Sequence, residues 1–305
     1  MVKMKIDILI NYKDRPTELG LLLQSLRTQT YQDFDVYILD CCSGTPPETY
    51  YFLQCLIQRM KFEQHNLEII HADKSRGVAM DRQMLVDYVL KNGNGSLYCR
   101  LDDDIILNPN YLAFLYKGII RGYDLMSGVT PPILNPETPR DMKFILPIIN
   151  RVVLNADGTF LINCDDCGQT YIGSDILPTD HFRSCALIKR EVHETVKYEE
   201  TLTPSGFREE QFFSFHAILK GYKLGVDTGA VAWHLCTPSG GDRRTNKDEL
   251  NKQNQILLNR WTKRMYQKHG DFIEDYHERL GIKETEQDKL RSLYKNTNLI
   301  YCNEL

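Results

Sequence analysis

Apolar positions in the first 130 residues recur with two different periods. Short runs at 5–11 ("KIDILIN"), 34–40 ("FDVYILD"), 67–72 ("LEIIHA") and 96–102 ("SLYCRLD") are dense in aliphatic and aromatic residues and predict buried strands. Between them Leu19, Leu22, Leu23 and Leu26 share one face of a helix over 17–28, and further helices are predicted over 47–61 and 78–91. Strands that alternate with helices are joined by right-handed crossovers, so the fold class is α/β, with a mainly parallel sheet flanked by helices. Ligands of such sheets bind beyond the carboxyl ends of the strands. That rule puts three loops on one rim: "NYKDRP", "DCCSGTPP" and "DDDIILNP", which follow the first, second and fourth strands.

A helix over 110–121 and a strand in "DLMSGVT" continue the pattern, which then degrades between 131 and 182 into Pro, Asn, Asp and Gly. Within that stretch "VVLNADGTFLI" reads as a hairpin turning at Asp157-Gly158. Order returns with a strand in "SCALIKR", a helix from Glu209 to Lys220, a strand in "AVAWHL" and a helical tail from about 245. No internal repeat and no low-complexity linker interrupts the chain. Three parts are expected: 1–130, 131–236 as the second half of the same domain, and a helical C-terminal extension over 237–305.

Composition narrows the function classes. The chain of 305 residues is 42% hydrophobic and 26% charged with a net charge of −4, which argues against a nucleic-acid partner held by an overall positive field. No run of about 18 apolar residues occurs, and "MVKMKIDILINYKDRP" breaks into charge too early for a signal peptide. The expected location is cytoplasmic, with at most peripheral contact at the inner face of a membrane. Nine cysteines, several in apolar strand contexts, are expected as free thiols, and the "NGNGS" sequon is expected as a turn.

The candidate chemistry centres on Asp102, Asp103 and Asp104. In an extended segment Asp102 and Asp104 face one side and Asp103 points away. Two carboxylates on one side at a strand end suit a divalent cation, Mn2+ or Mg2+, whose remaining ligands are diphosphate oxygens and water. No glycine-rich phosphate loop and no EF-hand spacing accompanies them. Arg82, at the start of a helix near the same rim, offers a guanidinium to a phosphate, its bland alternative being an ordinary helix salt bridge. Glu209 and Glu210 open a late helix, where acidic residues also serve as dipole partners. His234 closes the strand of "AVAWHL". "CDDC" at 164–167 has the spacing of half a zinc site but lacks a second pair, so Asp165 and Asp166 read as polar loop residues that could meet hydroxyls of a ligand. Tyr171, His181, Phe182, Phe207 and Trp233 are candidates for stacking on a flat ligand face, although packing explains any one of them equally well. "PSGGDRRTN" at 238–246 combines glycines with Arg243 and Arg244, as a lid over a diphosphate or as an exposed linker.

Taken in order, "LQSLRTQTYQDFDVYILDCCSG", "RGVAMDRQ", "YCRLDDDIILNPNYL", "FREEQFFSFHAILKGYKLG" and "AVAWHL" resemble the family 2 glycosyltransferases of the GT-A fold, over roughly residues 4 to 236. The "NRW" at 259–261 is similar to a helix often found after the histidine in that family. The resemblance implies a nucleoside-diphosphate sugar donor, a glycan or lipid-linked glycan acceptor, and inverting transfer. It makes 1–130 the donor half and 131–236 the acceptor half. It implies that Asp102 lies by the ribose, that Asp104 and His234 hold the metal, and that Glu210, beside Glu209, is the general base. Ile10, Asn11, Tyr12, Arg15, Asp40, Cys41, Arg82 and Asp103 then form the donor-nucleotide wall. Two positions depart from the family pattern: Cys41 stands where a carboxylate commonly reads uracil, and Glu210 stands where the base is usually Asp. Two other classes stay open at this level. A nucleotidyltransferase would need a basic phosphate loop near the first strand, where only Lys13 and Arg15 are present; a non-catalytic carbohydrate-binding protein would not need the acidic residues intact.

Overall fold

A computed structural model describes residues 4–134, 148–155, 157, 159–162, 172–182, 185–241 and 246–282. Strands β1 (Ile6–Tyr12), β2 (Phe34–Asp40), β3 (Leu67–His71) and β4 (Leu97–Asp102) fall where their apolar runs predicted. The first two and β4 are buried nearly throughout, as strands covered on both faces must be, and these four pair in parallel in the order β3-β2-β1-β4. Helices α1 (Pro16–Arg27), α2 (Tyr51–Phe62), α3 (Val78–Asn92) and α4 (Tyr111–Ile120) connect and cover them. On α1 the four leucines at helical spacing are all fully buried against the sheet. The helix expected over 47–61 splits: a single 3-10 turn, Pro47–Thr49, follows the extended Pro46, and Tyr50 is extended before α2 begins.

The second half adds strands the hydropathy pattern does not show. The run "DDDIILNP", read as a loop, turns at Asp103 and Asp104 and continues as β5 (Ile105–Leu107). Three residues are too few to carry a period, and its partner is far away in sequence. After β6 (Leu125–Val129), the hairpin of β7 (Val152–Leu154) and β8 (Phe160–Ile162) forms within the run read as a hairpin and pairs Leu154 with Phe160. Then come β9 (Ile176–Pro178), β10 (Ala186–Lys189), α5 (Arg190–Thr195), α6 (Glu209–Leu219) and β11 (Leu224–His234). Strand β10 inserts antiparallel between β4 and β6, and β11 runs parallel to β6. The sheet is therefore mixed but mostly parallel. Strand β11 is longer than "AVAWHL" because Gly225, Asp227, Thr228 and Gly229 break its apolar pattern, and its register with β6 shifts between Val226 and Val231.

Two close contacts fix the frame around the rim. A Cβ on Gly128 would meet the Ala230 carbonyl oxygen at 2.1 Å, so β6 and β11 meet at that register only with glycine there. Gly77, at φ +98°, lies against Pro204, whose Cα is 2.4 Å from where a Cβ would be, and it starts α3 beside the segment that leads into α6. The tail forms α7 (Lys247–His269) and α8 (Phe272–Arg279), and Trp261 packs edge-on against Phe212 of α6 and Phe272 of α8. Among the described residues there are eight α-helices, and none is long and apolar enough to cross a membrane. The described cysteines, Cys41, Cys42, Cys55, Cys99, Cys185 and Cys236, are free thiols as expected.

Candidate active site

At the carboxyl ends of β1, β2 and β4 the chain encloses a cleft of about 500 Å³. Strand register decides what lines it. Asn11 sits opposite Asp102 across the β1–β4 pair, and Tyr12 sits opposite Asp40 across β1–β2, so Cys41, Asn11 and Asp102 stand on adjacent strands. At about 4.8 Å per strand they span roughly 10 Å, the reach of a nucleoside diphosphate from base to phosphate.

Strand β4 ends at Asp102, so the alternation expected of an extended triplet does not hold. Asp103 is neither turned away nor solvated: its Oδ1 lies 2.8 Å from Arg15 Nη1, and its Oδ2 accepts from the Lys13 backbone N–H at 3.1 Å. Burial pushes its carboxyl up to about 7 despite the guanidinium beside it. Asp104 Oδ2 shares the same Arg15 nitrogen at 3.0 Å and faces His234 Nε2 at 3.4 Å. This last contact exists because β5 pairs antiparallel with the end of β11, setting His234 opposite Ile105, while the Leu235 N–H donates to the Asp104 carbonyl. Hydrogen bonding to Asp104 raises the His234 pKa above its ordinary value. On the other side of the ring Cys236 Sγ lies 3.4 Å from Nδ1, which leaves Nε2 directed at Asp104. A carboxylate and an imidazole in contact at the cleft wall are ligand types that suit a divalent cation. Among the described residues no cluster of three or more such side chains forms, so an ion here would complete its shell with ligand oxygens and water.

A second group of charges lies beside the first. Arg82, from the first turns of α3, pairs with Asp102 Oδ1 at 2.8 Å and with Glu209 through Nη1. Glu209 is 1% exposed and also meets Arg100 Nη1 at 3.4 Å. Glu210, with 22% of its side chain exposed, lies 3.5 Å from Arg82 and 3.6 Å from Arg100. The two glutamates thus differ in surroundings: Glu209 is a buried anchor of α6, and Glu210 is the more accessible, beside Arg82, while neither is among the residues that line the cleft. Arg100 was missed in the sequence reading. Its signal was a charge inside the buried run "YCRLD", two residues before Asp102. It also contacts the Tyr198 hydroxyl at 3.2 Å and lies 5.1 Å over the Phe182 ring. Arg100→Met leaves the buried Glu209 carboxylate with one cation, and a loss of about 3 kcal/mol is expected in urea unfolding. Adding Glu209→Gln to that variant should recover part of the loss, because the pair is coupled.

A family model, glycosyl transferase family 2, matches residues 7–196. The chain belongs to that family. The matched span covers β1 through α5 and stops before Glu210 and His234. Among solved structures, this glycosyltransferase family 2 chain is similar to GalNAc-T7, crystallised with UDP, GalNAc and Mn2+, at a TM-score of 0.58 and 12% identity. That match covers 90% of this chain and 54% of the other, so the chain spans about half the length of that relative. It is also similar to the mannosyltransferase PcManGT from Pyrobaculum calidifontis, in complex with GDP-Man and Mn2+, at a TM-score of 0.52 and 13% identity, over 97% of this chain and 81% of that one. Both likenesses are of fold, the GT-A fold. No curated protein matches the chain by sequence.

Other residues expected in the family 2 site are distributed unevenly. Asn11, Tyr12, Arg15, Cys41 and Arg82 line the cleft together with the three aspartates and His234. Ile10 is buried within β1 and is not among the lining residues. Asp40 is not among the lining residues: its Oδ2 faces His71 at 3.2 Å and its Oδ1 accepts from the Ser43 N–H, so it braces the second loop. Burial pushes the Cys41 thiol up to about 12, which keeps it neutral beside the Asn11 amide, 3.6 Å away. His181 and Phe182 are not among the lining residues either. Both are buried in the core, where the Gln211 Nε2 approaches His181 Nδ1 at 3.3 Å, so neither presents a face to a sugar. Trp233 donates through Nε1 to Asn108, and the half-exposed Phe207 lies under Arg208; neither lines the cleft. Asp165, Asp166, the rest of "CDDC", Tyr171, Arg243 and Arg244 lie outside the described residues. Ser75, Asp81, Ser205, Cys236 and Lys247 line the cleft without having been singled out in the sequence, and Gly241 of "PSGGDRRTN" joins them.

Proposed function

We propose that this family 2 glycosyltransferase moves a sugar from a nucleoside-diphosphate sugar to a hydroxyl of a glycan or lipid-linked glycan, with inversion. The observation that carries the reading is the convergence of two charge groups on one rim: Asp104 with His234, and the chain Asp102–Arg82–Glu210. The presence of Mn2+ together with UDP or GDP-Man in the two similar solved structures supports a divalent cation, which Asp104 and His234 would hold. Such a cation supplies charge stabilisation to the departing diphosphate. Arg82 adds its guanidinium on the same side, and Asp102 keeps that guanidinium oriented while facing the ribose. Glu210 takes the proton of the attacking hydroxyl from the opposite face of the anomeric carbon, which gives inversion in one displacement.

In this reading residues 1–130 form the donor half, 131–236 the acceptor half, and the tail beyond 237 the covering extension, which reaches the cleft through Gly241 and Lys247. A lipid-linked acceptor would be met at a membrane surface. The test is a panel of nucleotide sugars incubated with the protein, with and without manganese. Slow manganese-dependent hydrolysis of one nucleotide sugar is the expected result. Pyrophosphate release from a nucleoside triphosphate, with no nucleotide sugar consumed, would replace the reading with nucleotidyl transfer.

A further inference from the structure

Glu210 and Phe212 are two positions apart on α6, a rotation of about 200°, so they project from opposite sides of the helix. On the Phe212 side lies a second recess, of about 610 Å³, between α7 and the segment that holds Glu199. Its floor is aromatic, Phe212 against Trp261 with ring centroids 5.7 Å apart, and both rings are recessed, Trp261 being 8% exposed. Its rim carries Arg260, Lys263 and Arg264, all exposed.

Helix chemistry does not account for these cations. Basic residues offset the macrodipole only in the last turn, and α7 runs on to His269, which leaves that task to Lys268 and His269. From Asn259 to His269 the helix holds no Asp or Glu, although the whole chain has a net charge of −4. Lys263 has a loose contact of 3.9 Å with Asp157, and among the described residues no ion pair involves Arg260 or Arg264. Glu199 also lines the recess, and its Oε1 accepts from the Thr201 N–H and hydroxyl. An apolar aromatic floor beside a row of cations on α7, two of which have no ion pair among the described residues, is complementary to a ligand with flat C–H faces and negative groups at its edge. A bilayer fits less well, because the rings are sunk in a concavity and do not project.

We infer that this recess is a second carbohydrate site, which binds an anionic sugar unit, carboxylate- or phosphate-bearing, within a glycan chain. It lies about one helix diameter, roughly 10 Å, from the Glu210 side of α6. The site does not depend on the donor reading, since it shares no residue with the cleft.

The test is calorimetric titration of the full chain with a glucuronate-containing hexasaccharide, a phosphate-bridged oligosaccharide and neutral maltohexaose, alongside sedimentation with phosphatidylserine vesicles. At least one anionic oligosaccharide should bind, weaken as salt rises, and bind at least tenfold more weakly to Arg260→Ala/Arg264→Ala, while the neutral one does not bind. The two anionic arms show which acidic group the site takes. Circular dichroism melting of the variant, whose altered side chains are exposed, should match the parent, and its donor hydrolysis should be unchanged. Equal binding by parent and variant, equal binding of the neutral sugar, or binding of vesicles alone would overturn the inference. Absence of donor hydrolysis in the parent would count against the proposed transferase reaction and leave this result standing.

Discussion

Glu210→Gln should leave nucleotide-sugar binding within a factor of a few of the parent and lower transfer by about two to four orders of magnitude, the usual contribution of a positioned general base. The amide keeps the size of the carboxylate and its place beside Arg82 and Arg100, which lie 3.5 and 3.6 Å away, so the donor side is undisturbed. What it loses is the ability to take a proton. Donor affinity by calorimetry and single-turnover transfer separate the two effects. Glu209→Gln is the informative control. Glu209 is buried between two arginines, so its replacement should show first as a fall in stability. Transfer at the parental rate by Glu210→Gln would remove the base assignment.

Asp104→Ala should abolish the manganese-dependent part of nucleoside-diphosphate binding and slow transfer about a thousandfold. Charge stabilisation by a bound cation is worth several kcal/mol, and each 1.36 kcal/mol is about tenfold in rate. The variant keeps Asp103 with Arg15, so the turn retains its ion pair. Asp103→Asn should behave in the opposite way, lowering the melting temperature through the weakened Arg15 contact while manganese-dependent binding persists. If Asp103→Asn lost metal-dependent binding and Asp104→Ala retained it, the metal would belong to the other carboxylate. Titration of each variant with manganese in the presence of a nucleoside diphosphate decides the matter.

The chain shows unevenly which parts of this arrangement its sequence discloses. Strands covered on both faces, such as "FDVYILD", announce themselves because every position must be apolar or paired, and the parallel half of the sheet follows from them. Strand β5 could not announce itself, since its three residues are set by pairing with β11. The rim position of Asp102 to Asp104 was legible from topology alone. The direction of each side chain was not, because the strand stops at Asp102 and a turn sets the next two. Asp40 fails for a related reason: it ends a strand at the rim, but its carboxylate points at His71 on the next strand's end. Arg100 shows the converse. A charge within an otherwise apolar strand is a legible anomaly, and its meaning needed the distant Glu209 to supply the counter-charge.

The pairing of β5 with β11 also sets an order of events during synthesis. Asp104 and its cleft-forming neighbours emerge early, and the donor-side strands β1 to β4 can pair as soon as they are made, since their contacts are largely between successive elements. His234 reaches Asp104 only after β11 has docked between β6 and β5. A nascent chain that has emerged only as far as residue 196, the limit of the family match, holds the aspartate turn without its imidazole partner. The pair of Asp104 and His234 proposed to hold the cation is therefore the last part of the rim to be assembled.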